Sequence, residues 1–402
     1  MWIHNRGLTV IIVVISMING ILDFTEKGAK KGTEKETEKE TEQGTEYQID
    51  YDMAYQEIYD MLDIKDVERE LEKNEITGAI SLDSIIKGII RGDTEYIFGS
   101  IANGIRDTLT GQLLANQSLM LQLVVIVLLG SVFTNISNSF GKSFISENGF
   151  FVTYLIITSI MLTSFSMALD IVSSSIEKIL VLIRIIVPVF ALAINFLGKV
   201  QTSAGMYEII LLGVWFVQVI ILRFVIPMIK FYVIISLVNN LNKEDSFSKM
   251  CRLIKNIVSW LLKTIVVFVA GLNIIKSLIE PQIDALGRNT VNKIISALPG
   301  GGVTSLLAGT FLGAGAVIKN SIGIAGIILI AITVLAPVIK TFLIMLAVRI
   351  TCVIIQPMGE KRYVEGVEAL ATGLSLLLQT ILSSVVLFML TIAIMAYASN
   401  GG

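Results

Sequence analysis

The chain has 402 residues, 54% of them hydrophobic and 16% charged, with a mean hydropathy of +0.77 and a net charge of −2. This composition excludes an ordinary soluble domain, and the near-neutral charge speaks against nucleic acid as a partner. His4 is the single histidine and no GxxxxGK[ST] occurs, which excludes a Ser-His-Asp triad, a histidine-based metal site and a P-loop. The expectation is a protein that is not an enzyme and holds no cofactor or metal.

Residues 1–22 carry a basic flank at Arg6 and an apolar core, the pattern of a signal peptide or an uncleaved signal anchor. Residues 23–46 alternate Glu, Lys and Thr with almost nothing apolar. Such a segment buries too little surface to offset its ordering entropy and reads as a disordered, charged tether.

Residues 47–117 read as an extracytosolic amphipathic helical region. Tyr51, Tyr55, Ile58 and Leu62 share one helical face. Ser81 caps a second pattern of Leu82, Ile85, Ile86, Ile89 and Ile90, and Ile97, Ile101 and Ile105 form a third.

A first transmembrane group is expected over 118–238, with hydropathy peaks near 118–138, 150–170, 179–197, 206–222 and 223–238. Arg223 and Pro227 alone separate the last two. A basic loop follows at 239–256, cytosolic by the positive-inside rule. Its second half predicts an interfacial helix with Phe247, Met250, Ile254, Ile257 and Leu261 on one side. Lys249, Arg252 and Lys255 offer a docking surface for a cytosolic partner, or snorkel at a membrane edge.

A second transmembrane group is expected over 257–402, with peaks near 256–276, 322–338, 341–356 and 374–397. The total is about seven to nine passes. Pro299, Gly300, Gly301 and Gly302 predict a Gly-rich hairpin at 298–320, and Gly309, Gly313, Gly315, Gly323 and Gly326 predict close helix packing.

Charge within the apolar runs is basic: Arg184, Arg223, Lys230, Lys340 and Arg349, with Lys263 besides. Such residues line an anion path, pair with acids of a partner, or snorkel. Cys251 and Cys352 have neither CxxC nor metal spacing and read as packing residues. The Glu365–Gly373 stretch resembles an importer coupling loop only superficially, because its spacing is one residue short.

The run GAGAVIKNSIGIAGIILI at 313–330, then APVIK at 336–340 and VIIQPMGEKRYVEGVEAL at 353–370, resembles the stage III sporulation protein AE family. Gln356-Pro357 followed by Gly359 is similar to that family's Gln-Pro-Leu-Gly pattern, with Met358 in place of Leu. The resemblance implies a multi-pass protein of the mother-cell, or outer forespore, membrane. It implies a place in a transenvelope complex, needed for forespore development, that resembles a secretion apparatus or feeding tube. It also implies partners encoded beside it: an ATPase, small membrane subunits and ring-forming channel proteins. The expectation is therefore an all-α, polytopic membrane protein serving as a structural or conduit subunit. The competing reading is a stand-alone permease for a small anionic solute.

Overall fold

The protein is described by a computed structural model over residues 95–139, 143–196, 219–241, 246–267, 301–357 and 359–398, with Arg69, Ile85, Ile86, Gly213, Phe216, Val217 and Gly271 besides. All of these lie in one unit, Ile58–Gly402. The expected signal segment, the tether and most of the exported region before Glu95 fall outside the described residues.

The described elements are helical. Helix α1 is Glu95–Ser139 and α2 is Ser143–Phe196. A π-helical turn at Ile221–Val225 runs straight into α3, Ile226–Leu241. Helix α4 covers 248–267. Helix α5 is Gly301–Ile355 and α6 is Lys361–Ala398. In lipid each backbone N–H and C=O must be satisfied within its own segment, which long apolar runs achieve only as helices. Five described stretches are long and apolar enough to cross a membrane: Gln117–Ile136, Glu147–Val189, Ile221–Leu241, Ile322–Ile355 and Lys361–Met389.

The protein is thus an all-α, polytopic membrane protein, and among the described residues its helices are longer than the hydropathy peaks predict. The peaks at 150–170 and 179–197 are one helix of 54 residues with Pro188 inside it. Those at 322–338 and 341–356 are one helix of 55 residues that passes through Pro337. The hairpin expected at 298–320 is likewise corrected over 301–320, which forms the first turns of α5. Glycine lowers helix propensity by only about 1 kcal/mol relative to alanine, a cost that a helix continuing through to Ile355 absorbs over its length.

Pro227 explains the π turn. It offers no N–H to the carbonyl of Arg223, and its ring crowds that carbonyl. The chain widens just before it, and the Ile226 N–H donates to the carbonyl of Ile221, five residues back.

The core lies where α5 and α6 pack on each other and on α2, with α1 against α5 and α3 against α6. Val348, Leu370, Leu374, Leu377, Ile381 and Phe388 are fully buried there.

Candidate functional site

Three connections meet at one end of this bundle: α1 to α2, α3 to α4, and α5 to α6. Contacts across them set the geometry. The Tyr154 hydroxyl near the start of α2 donates to the carbonyl of Leu237 near the end of α3, at 2.8 Å. The N–H of Glu360, just before α6, donates to Ser131 Oγ on α1, at 3.0 Å. The N–H of Phe247 donates to Asn239 Oδ1 at 2.7 Å and closes the α3–α4 hairpin.

The turn from α5 to α6 is Gln356–Glu360. Its Gly359 N–H donates to the carbonyl of Ile355 at 2.6 Å. A Cβ on Gly359 would lie 2.7 Å from that same carbonyl oxygen, so glycine is required by the close backbone approach.

Arg362 is the centre of the cluster that follows this turn. Nη1 and Nη2 donate to the two carboxylate oxygens of Glu147 at 2.9 and 3.4 Å. Nε donates to Glu360 Oε1 at 2.9 Å, and Nη2 lies 2.7 Å from the same oxygen. The guanidinium carbon sits 3.4 Å from the Phe150 ring centroid. Phe150 in turn packs on Tyr363 and Tyr154, with centroids 4.8 and 5.4 Å away.

A planar, weakly hydrated guanidinium suits a site that needs a bidentate carboxylate and an aromatic face together. All three guanidinium nitrogens are turned to carboxylates of the same chain. The arrangement therefore binds helices to one another rather than presenting a charge to a ligand. Among the described residues, no group of three or more His, Cys, Asp or Glu gathers.

Two polar atoms inside the clamp lack a hydrogen-bond partner, Glu360 Oε2 and the Tyr363 hydroxyl. The hydroxyl lies near those of Thr153 and Thr134 without hydrogen-bonding geometry to either. It points at Gly130, where a Cβ would be 3.0 Å from it and would overlap the Thr153 methyl.

The motif-bearing segment 353–370 is thus the clamp, its turn and the helix start behind it. Residues 80–399 match the description of Stage III sporulation protein AE. The chain belongs to that family. It is also similar to the Stage III sporulation protein AE of Bacillus subtilis, 19% identical over 315 residues that cover 77% of this chain and 78% of the relative. No solved structure matches. Membership in the stage III sporulation protein AE family gives the chain a role in sporulation.

The residues singled out from the sequence of this family member are scattered rather than gathered. Pro299 and Gly300 lie outside the described residues. Gly301, Gly302, Gly309, Gly313 and Gly315 occupy the first turns of α5. Gly323 and Gly326 are buried. A Cβ on Gly326 would meet Ile186 and Ile392 at 3.4 Å, an ordinary contact of α5 with α2 and α6. Arg184, Arg223 and Lys230 are exposed, while Lys340 and Arg349 are half-buried.

Lys249 and Arg252 are exposed and Lys255 is half-buried. Their helix, expected as an interfacial element, is α4. It folds back beside α3, with Cys251 against Ser236. Its buried stripe is Cys251, Ile254, Val258, Leu262 and Ile265, so Phe247 and Met250 face outward.

Several glycines in tight contact were not singled out, Gly149 among them, where a Cβ would overlap the Phe133 ring. A Cβ on Gly373 would overlap the Val233 side chain, and one on Gly366 would lie 3.1 Å from the Tyr154 hydroxyl. Gly366, Ala369 and Gly373 form a small-residue stripe on one face of α6, which is the sequence pattern that points to them.

Proposed function

We propose that this member of the stage III sporulation protein AE family is a structural subunit of the transenvelope complex of sporulating cells. It sits in the mother-cell membrane and carries a helical stalk into the space facing the forespore. The outward face of α2 carries this reading. From Phe151 to Met167 its exposed residues include Phe151, Val152, Leu155, Ile156 and Met167. From Asp170 to Val189 the exposed residues are Asp170, Ser174, Glu177 and Arg184. The opposite face stays apolar and buried through Val172, Ile176, Ile183 and Ile186.

A helix whose outer face turns from apolar to charged while its inner face stays apolar is leaving lipid for water without leaving its bundle. Helix α1 changes at a similar level, with Gln117 and Ser118 exposed before Leu121, Val125 and Leu129. At 1.5 Å per residue α2 and α5 are each roughly 80 Å long, against a hydrocarbon core of about 30 Å. The part of α2 beyond Asp170 reaches roughly 40 Å past that level.

Orientation is read from the described bases beside the three connections at the clamp end: Lys249, Arg252, Lys361 and Arg362. By the positive-inside rule that end faces the cytosol, which directs the stalk away from it. The three described spans before α4 give the same sense as an exported N-terminus. The ATPase, small membrane subunits and ring-forming channel proteins implied by the family resemblance are the proposed partners.

The test is site-directed labelling in a background with both native cysteines changed to alanine. Ser174→Cys should react with a membrane-impermeant maleimide from the exported side, and Lys249→Cys only from the cytosolic side. Protection of Ser174→Cys from both sides would overturn the stalk. Anion flux through liposomes holding the purified chain alone would favour the permease instead.

A further inference from the structure

Arg349 and Glu368 are charged residues inside stretches long and apolar enough to cross a membrane, and among the described residues neither makes an ion pair. The two lie level with each other. The Cys352 thiol on α5 donates to the carbonyl of Val364 on α6, at 3.8 Å, which fixes the register of these antiparallel helices. Arg349 is three residues back from Cys352 and Glu368 is four residues on from Val364, so both lie about one turn deeper than that contact. Both are within electrostatic reach of Cys352.

Glu368 is exposed and Arg349 is half-buried, and Arg349 Nε is buried without a hydrogen-bond partner. Ile350, Val353 and Ile354 beside them are 43, 68 and 41% exposed. Snorkelling would have to carry Arg349 past this apolar rim. An unpaired charge so placed is costly in lipid, and charges at this depth are ordinarily found paired.

A two-fold axis along the membrane normal brings a patch against its own copy at unchanged depth. It therefore sets Arg349 of one chain opposite Glu368 of the next, and Glu368 opposite Arg349. An isologous interface needs this self-complementarity. We propose that the α5–α6 face bearing Arg349, Glu368, Ile350 and Val353 is the contact between two copies of this chain, closed by two reciprocal Arg349–Glu368 ion pairs. The proposal requires only that both copies share one membrane orientation, and it stands whichever complex the dimer joins.

The experiment uses the full-length chain in two differently tagged forms, reconstituted into liposomes. Wild-type forms should co-purify as a dimer, and Arg349→Glu or Glu368→Arg alone should lower self-association by roughly tenfold or more. Mixing the Arg349→Glu chain with the Glu368→Arg chain should restore pairing between the two tags, because one then presents two acids and the other two bases. An ion pair within one chain cannot give that result. Arg349→Gln, with helicity checked by circular dichroism, should weaken pairing without unfolding. A monomeric wild type, or a mixture that fails to pair while each chain keeps its helicity, would overturn the proposal. Failure here would leave the stalk topology standing, because labelling of Ser174→Cys and Lys249→Cys does not depend on dimerisation.

Discussion

The guanidinium of Arg362 lies over the ring of Phe150, its carbon 3.4 Å from the centroid, while its two terminal nitrogens donate to the Glu147 carboxylate. Both partners belong to α2, so a single side chain at the start of α6 fixes that helix by charge and by ring together. Arg362 is only 15% exposed, whereas Glu147 is 42% exposed and therefore partly screened. Arg362→Gln should destabilise the bundle by about 2–3 kcal/mol, below the usual range for a fully buried pair. Arg362→Lys should rescue little of this, because a lysine supplies neither the fork nor the flat stack. Unfolding in graded detergent mixtures measures both.

A second prediction concerns where glycine matters. Gly373→Ala should cost about 1–3 kcal/mol by forcing its new methyl into Val233. Gly326→Ala should be nearly neutral, since its neighbours stand at 3.4 Å. Adding Val233→Ala should relieve much of the Gly373→Ala cost, and a double-mutant cycle reads the coupling directly.

Tyr154 is 2% exposed and its hydroxyl supplies the described hydrogen bond from α2 to the end of α3. Tyr154→Phe keeps the ring stack and removes that donor, with an expected loss of about 1 kcal/mol. Hydrogen exchange should quicken in the last turn of α3 while the start of α6 stays protected.

Cys251 is 8% exposed on the buried stripe of α4, whereas Lys249 two residues earlier is exposed. The native Cys251 thiol should react with maleimide far more slowly than a Lys249→Cys thiol in the same folded protein. Equal rates would show that α4 is not packed along α3 by this stripe.

Much of this architecture was legible in the sequence. The apolar runs placed the chain in a membrane, and Gln356-Pro357 with Gly359, which carried the family resemblance, lie at the turn on which the clamp is built. The clamp itself was not legible. Arg362 and Glu147 are 215 positions apart, beyond any local periodicity. Helix lengths were hidden for a different reason. Hydropathy averages over all faces of a helix, so the charged outer face at Asp170 and Glu177 looked like the gap between two spans. The buried face at Val172 and Ile176 shows an unbroken helix. Glycine density drew attention to 298–320, although close approach depends on what faces the residue, as Val233 faces Gly373.

The apolar girdle has one more consequence. On α1 it runs from Leu121 to Ile136 and on α2 from Phe151 to Met167. Each stretch is roughly 24 Å tall, less than the average hydrocarbon thickness of about 30 Å. Lipid around the protein must thin to meet it, at a cost of a fraction of a kcal/mol for each ångström of mismatch. Several copies brought together would share one thinned annulus rather than each deforming its own. Membrane thickness then becomes a force that gathers them, and that draws them toward wherever the bilayer is already thin.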